Sequence, residues 1–163
     1  MVLIIFTAVF IVSHAFAQSK GSAKLGLKTT VLKEVKVKKP DGTTVLRGIP
    51  VDKTGPGDVL IYTITYVNMG KTAILDATIV DPIPAGTVYV LDSAKGKDAE
   101  ITCSIDSGRS FQPPPVFMKF RKPGGPEERK PAPAEQYSHI RWIIKKPVLP
   151  GHSGRVSLKA TVK

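Results

Sequence analysis

At 163 residues and 42% hydrophobic content, the chain is long enough to form one ordinary domain with its own core. A formal net charge of +11 favours anionic partners such as nucleic acid, acidic polysaccharide or a membrane surface, but says nothing about the fold. The single cysteine, Cys103, excludes an intramolecular disulfide, so the core alone must hold the domain together.

The opening MVLIIFTAVFIVSHAFAQSK is apolar from Val2 to Val12 except for Thr7, and Ala15-Phe16-Ala17 places small residues where a signal peptidase reads. Residues 1–17 therefore read as a secretory signal, although no Lys or Arg precedes the apolar run. The alternative, an uncleaved anchor, is disfavoured because a span needs about 20 apolar residues. Residues 18–30 read as an extended N-terminal segment ahead of a domain covering 31–163.

Val35 and Val37 alternate with Lys36 and Lys38, which is strand periodicity, and KPDGT supplies a hairpin turn before Val45 and Leu46. Lys33, Lys36, Lys38 and Lys39 are the candidate surface for an anionic partner; the competing reading is an exposed edge strand whose lysines block unwanted pairing. KTGPGD is a second turn. In YTITYV and its flanks, Leu60, Tyr62, Ile64 and Tyr66 share one face and Ile61, Thr63, Thr65 and Val67 the other.

Asn68-Met69-Gly70 ends that strand, AILDATIV forms the next, and Asp81-Pro82 with Pro84-Ala85-Gly86 breaks it. Asn68, Gly70, Asp81, Pro84 and Gly86 are accordingly read as structural turn positions, with unusual backbone angles expected at Gly70 and Gly86. TVYVLD, EITCSI, SFQ, PVFMKF, HIRWIIKK and RVSLKATVK follow as short strands, with IDSG a tight turn. The insert at 122–136 is Pro-rich, charged and aperiodic, so a mobile surface loop is expected. Many short strands predict an all-β antiparallel sandwich or barrel. Its core should contain Tyr62, Ile64, Tyr66, Ile79 and Val90, with Trp142 and Ile144 from the other sheet.

The stretch from Pro56 to Leu91 resembles the conserved-repeat domain of bacterial surface proteins, a domain of unknown function (number eleven). The matching positions are Pro56-Gly57-Asp58, Tyr62-Thr63-Ile64-Thr65, Asn68, Gly70, Asp81, Pro84-Ala85-Gly86 and Tyr89, and LPGHSGRVSLKATVK resembles the family's closing loop and strand. The resemblance implies an immunoglobulin-like antiparallel β-sandwich. That family usually occurs as tandem repeats, whereas this chain has room for one copy.

The residues point away from catalysis. His14 leaves with the signal, His139 begins a strand and His152 lies in a turn; no HExxH, GxSxG or zinc-type Cys pairing is present. Asp76, Asp81 and Asp106 lack the dense oxygen-ligand spacing of a calcium loop and read as turn caps. No cofactor or metal is implied, and Cys103 reads as a buried, inert thiol, with an intermolecular disulfide as the alternative. Lysines without interleaved aromatics argue against specific nucleic-acid binding. The expectation is a secreted or periplasmic, non-enzymatic structural or adhesive envelope module. The alternatives are a soluble binder of an anionic polymer or protein partner, and a homo-oligomeric filament whose N-terminal segment adds to a neighbour.

Overall fold

The computed structural model describes residues 24–121, 125 and 127–163, so the signal-like segment lies outside the described residues. Two antiparallel sheets carry the fold. The larger contains β1 (Leu25–Lys38), β2 (Thr44–Pro50), β3 (Val59–Asn68), β5 (Thr87–Tyr89), β6 (Lys95–Gly96) and β11 (Ser153–Val162). Its order is β2-β1-β3-β11-β5, with β6 also on β11. The smaller runs β4 (Ala77–Pro82), β10 (His139–Ile144) and β7 (Ala99–Ser104). A projecting hairpin pairs β8 (Phe117–Arg121) with β9 (Glu127–Pro131).

Period-two patterning decides which faces meet. In β3, Leu60, Ile64 and Tyr66 are buried; Val156, Leu158 and Ala160 of β11 share their face across the register. Ile79 of β4, Ile140, Trp142 and Ile144 of β10, and Cys103 of β7 complete one apolar cluster. Burying a side chain such as Leu158 or Ile140, each fully enclosed, stabilises by about 1.5–3 kcal/mol. The all-β, sandwich-like reading stands. Tyr62 packs against the cluster while remaining partly exposed.

Several local expectations need correction. Val90 is only half-buried, and Tyr89, one residue earlier, occupies the core at 3% exposure. A one-residue offset in a strand exchanges its faces. The β1 pairing with β3 starts at Leu25↔Asn68, so the described part of the 18–30 segment is integral to the sheet. β2 pairs along the outer side of β1 from Leu32 to Lys38, so the half bearing Lys33, Lys36 and Lys38 is covered there. Leu25–Val31 have no strand on that side among the described residues.

Gly86 has φ +77 and sits in a turn where Thr87 N–H donates to the Pro84 carbonyl at 3.1 Å. Gly70 is not among the residues of positive φ. Its N–H instead donates to Asn68 Oδ1 at 2.9 Å, so an Asn side chain makes the turn without unusual angles at the glycine. Asp81 is not a turn residue either. It pairs with Ile140 inside β4 and shares the inward face of Ile79. Pro82 ends that strand, which is tolerable because β4 lies at a sheet edge.

The insert also departs from a mobile loop. Its described residues include β9 and a 3-10 turn at Ala134–Gln136, and Ala132 is buried. Just past it, buried Tyr137 accepts a hydrogen bond from Val116 N–H at 3.0 Å and meets Tyr89 at a ring distance of 5.4 Å. Pairing with β8 and contacts between side chains define β9: Lys119–Glu127 at 2.9 Å, Lys130 over Phe120 at 4.2 Å and Arg129 over Phe117 at 5.6 Å.

Candidate functional site

Strand alternation separates the four candidate lysines. Lys33 lies opposite Leu60 on the inward face, where its Nζ is 2.7 Å from Asp58 Oδ2. Asp58 also accepts the Gly55 N–H at 2.8 Å, and the Lys33 hydrogen bond is the first cause holding its carboxyl below the usual range. Lys33 thus clamps the Pro56-Gly57-Asp58 turn and leaves the candidate surface. Lys36 and Lys38 project outward from β1, and Lys39 follows in the hairpin turn; all three are exposed.

The outer face carries further cations that the sequence reading did not assign. Lys28 of β1, Thr65 of β3 and Arg155 of β11 form one cross-strand row. The next row is Thr30, Thr63, Ser157 and Lys95. Lys159 is also on this face but pairs with Glu34, whose Oε2 lies 3.0 Å from its Nζ. The signal was present in GRVSLKATVK, where Arg155, Ser157 and Lys159 alternate with buried Val156, Leu158 and Ala160.

A cleft of about 600 Å³ opens at the end of the sandwich where β11 begins. Asn68 positions one wall. This fully buried side chain donates from Nδ2 to the Thr72 and Val148 carbonyls at 2.7 and 2.8 Å. Its main chain bonds Gly151 and His152 at 2.8 and 3.0 Å. Lys97 and Asp98 supply the facing wall, while Lys146, His152 and Arg155 complete the rim. Gly154 forms part of the lining because a Cβ there would overlap the Tyr66 hydroxyl.

Ser104, Asp106, Ser138 and His139 also come together, but as a capped turn. The Asp106 carboxylate accepts Ser104 Oγ at 2.7 Å, Ser110 Oγ at 2.6 Å and Ser110 N–H at 2.9 Å. These bonds, Ser110's first, hold its carboxyl far below the usual range. The imidazole Nδ1 of His139 instead lies 3.1 Å from Ser138 Oγ. Asp76 is exposed, 3.9 Å from Lys145. Among the described residues no three His, Cys, Asp or Glu side chains group where they could hold a metal ion. Burial, with Asp92 adding to it, pushes the Cys103 thiol up to about 11, leaving little thiolate at neutral pH.

The Asp81 carboxyl is shifted in the opposite direction to those of Asp58 and Asp106. Burial alone raises it to about 6, and its charge bears on Tyr62 across the sheets. No match to the chain was found among protein-family models, curated proteins or solved structures.

Proposed function

We propose that the protein is an exported, non-enzymatic β-sandwich module of the bacterial cell envelope, structural or adhesive in role, resident in the periplasm or at the cell surface. The immunoglobulin-like topology and the surface-protein family belong to this reading and rest on the residues from Pro56 to Leu91. The observation that carries the mode of action is the broad outer face of the larger sheet. Lys28, Lys36, Lys38 and Arg155 extend from it with no carboxylate paired to them among the described residues. A flat array of mobile cations suits an extended anionic polymer or an acidic protein surface better than a small molecule.

The soluble-binder alternative uses the same face. In the filament alternative, exchange into a neighbour would require Leu25–Thr30 to leave β3, whereas edge-to-edge addition could use their other side, which has no strand partner among the described residues. Retention on immobilised heparin, a surrogate polyanion, tests the mode of action. Lys36→Glu with Lys38→Glu should elute the folded protein at markedly lower salt, since exposed charges contribute little to stability. Unchanged retention in that folded double variant would remove the face from the proposal. Fractionation of cells expressing the full chain tests export, and recovery only in the cytoplasm would contradict it.

A further inference from the structure

The cleft at the start of β11 shares Arg155 with the flat basic face but adds Lys97, Lys146 and the Tyr66 hydroxyl. Tyr66 is 7% exposed, and among the described residues its hydroxyl has no hydrogen-bond partner. The ring is buried but the hydroxyl itself reaches the cleft, where it is free to hydrogen-bond a bound molecule. The strand wall beside it is open as well. On the side away from β3, β11 pairs with β6 only at Val156 and Ser157, leaving the backbone of Ser153–Arg155 without a strand neighbour there. Lys97, Lys146 and Arg155 contribute three cations to the rim against one carboxylate, Asp98, with His152 alongside.

The geometry points to a discrete site for a phosphate monoester, bound through Lys97, Lys146 and Arg155 and hydrogen-bonded by the Tyr66 hydroxyl. The excess of cations over carboxylate matches a dianion better than a single carboxylate. A volume of about 600 Å³ holds a sugar-sized group beyond the phosphate. Gly154 is required because any side chain there would displace the Tyr66 ring. This site would give the module selectivity for a phosphorylated terminus, where the flat face gives only charge-driven attraction.

The test is calorimetric titration of the folded protein with glucose 6-phosphate at physiological salt, with glucuronate and inorganic phosphate in parallel. Saturable one-to-one binding of glucose 6-phosphate is expected, weaker with inorganic phosphate and weakest with glucuronate. Lys146→Glu, at an exposed position, should weaken it by about tenfold or more. Tyr66→Phe, which keeps the ring in the core, should weaken it severalfold without lowering Tm. No saturable binding would overturn the site, and glucuronate binding as tightly would overturn the phosphate assignment. Loss that follows Lys36→Glu with Lys38→Glu and ignores Lys146→Glu would assign the binding to the flat face instead. Heparin retention is read separately, so failure of the cleft and failure of the basic face are distinguishable.

Discussion

Asp81 shows how one residue makes stability depend on pH. Its carboxyl faces the space between the sheets from an edge strand, a placement that also discourages another chain from pairing with β4. Burial raises its folded value to about 6 from an ordinary 3.8. The folded state therefore holds this proton more tightly than the unfolded state between those values, and stability falls as pH rises through that window. Between pH 5 and 7 the loss should be on the order of 1 kcal/mol, and Asp81→Asn should abolish it. Below about pH 4 the opposite behaviour takes over, because Asp58, Asp106 and Glu100 have depressed folded values and lose their stabilising bonds on protonation. Chemical denaturation across pH checks this; a wild-type profile flat between pH 5 and 7 would show that Asp81 is solvated.

Two neighbouring turn glycines separate by mechanism. Gly86→Ala, at φ +77, should destabilise by about 1 kcal/mol or more. Gly70→Ala should be milder, since the Asn68 side chain makes that turn. Asn68→Ala is expected to be the most damaging of the three. It removes the side-chain partner of the Thr72 carbonyl and of the Gly70 N–H, and one of the two partners of the Val148 carbonyl, which keeps the Ile74 N–H. It also empties a fully buried position, for a total cost of about 1–3 kcal/mol. Thermal denaturation of the three variants orders them directly.

At the scale of elements, what the sequence revealed depended on whether burial alternated. In β3, buried and partly exposed residues alternate from Ile64 to Asn68, with Leu60 buried on the same face, so its residues announced both the strand and its inward face. Ile64→Ala should accordingly cost about 2–5 kcal/mol by cavity formation. β9 gave no such signal because EERKP is exposed throughout. Only its hairpin pairing to β8 makes it a strand, and a strand with neither face buried carries no apolar alternation to announce it. The hairpin's root is structural: Tyr137→Ala should destabilise the domain measurably, by removing both the Tyr89 contact and the Val116 hydrogen bond. A Tyr137→Ala protein as stable as wild type would restore the loose-loop reading.

Across the whole molecule, Lys36, Lys38 and Lys39 were legible as exposed cations because alternation and a turn dictate their direction. Lys33 was misread because its partner, Asp58, lies across a sheet pairing. The cleft was not legible at all. Its walls come from segments around Tyr66, Lys97, Lys146 and His152, which only the sheet order brings together. The flat face remains the central functional claim, and the salt dependence of polyanion binding tests it most directly. If Lys28, Lys36, Lys38 and Arg155 act together, log K against log salt should be linear with a slope of roughly −2 to −4, made shallower by about 1–2 in the Lys36→Glu, Lys38→Glu protein. Binding that is insensitive to salt, or a slope unchanged by the double reversal, would contradict the account.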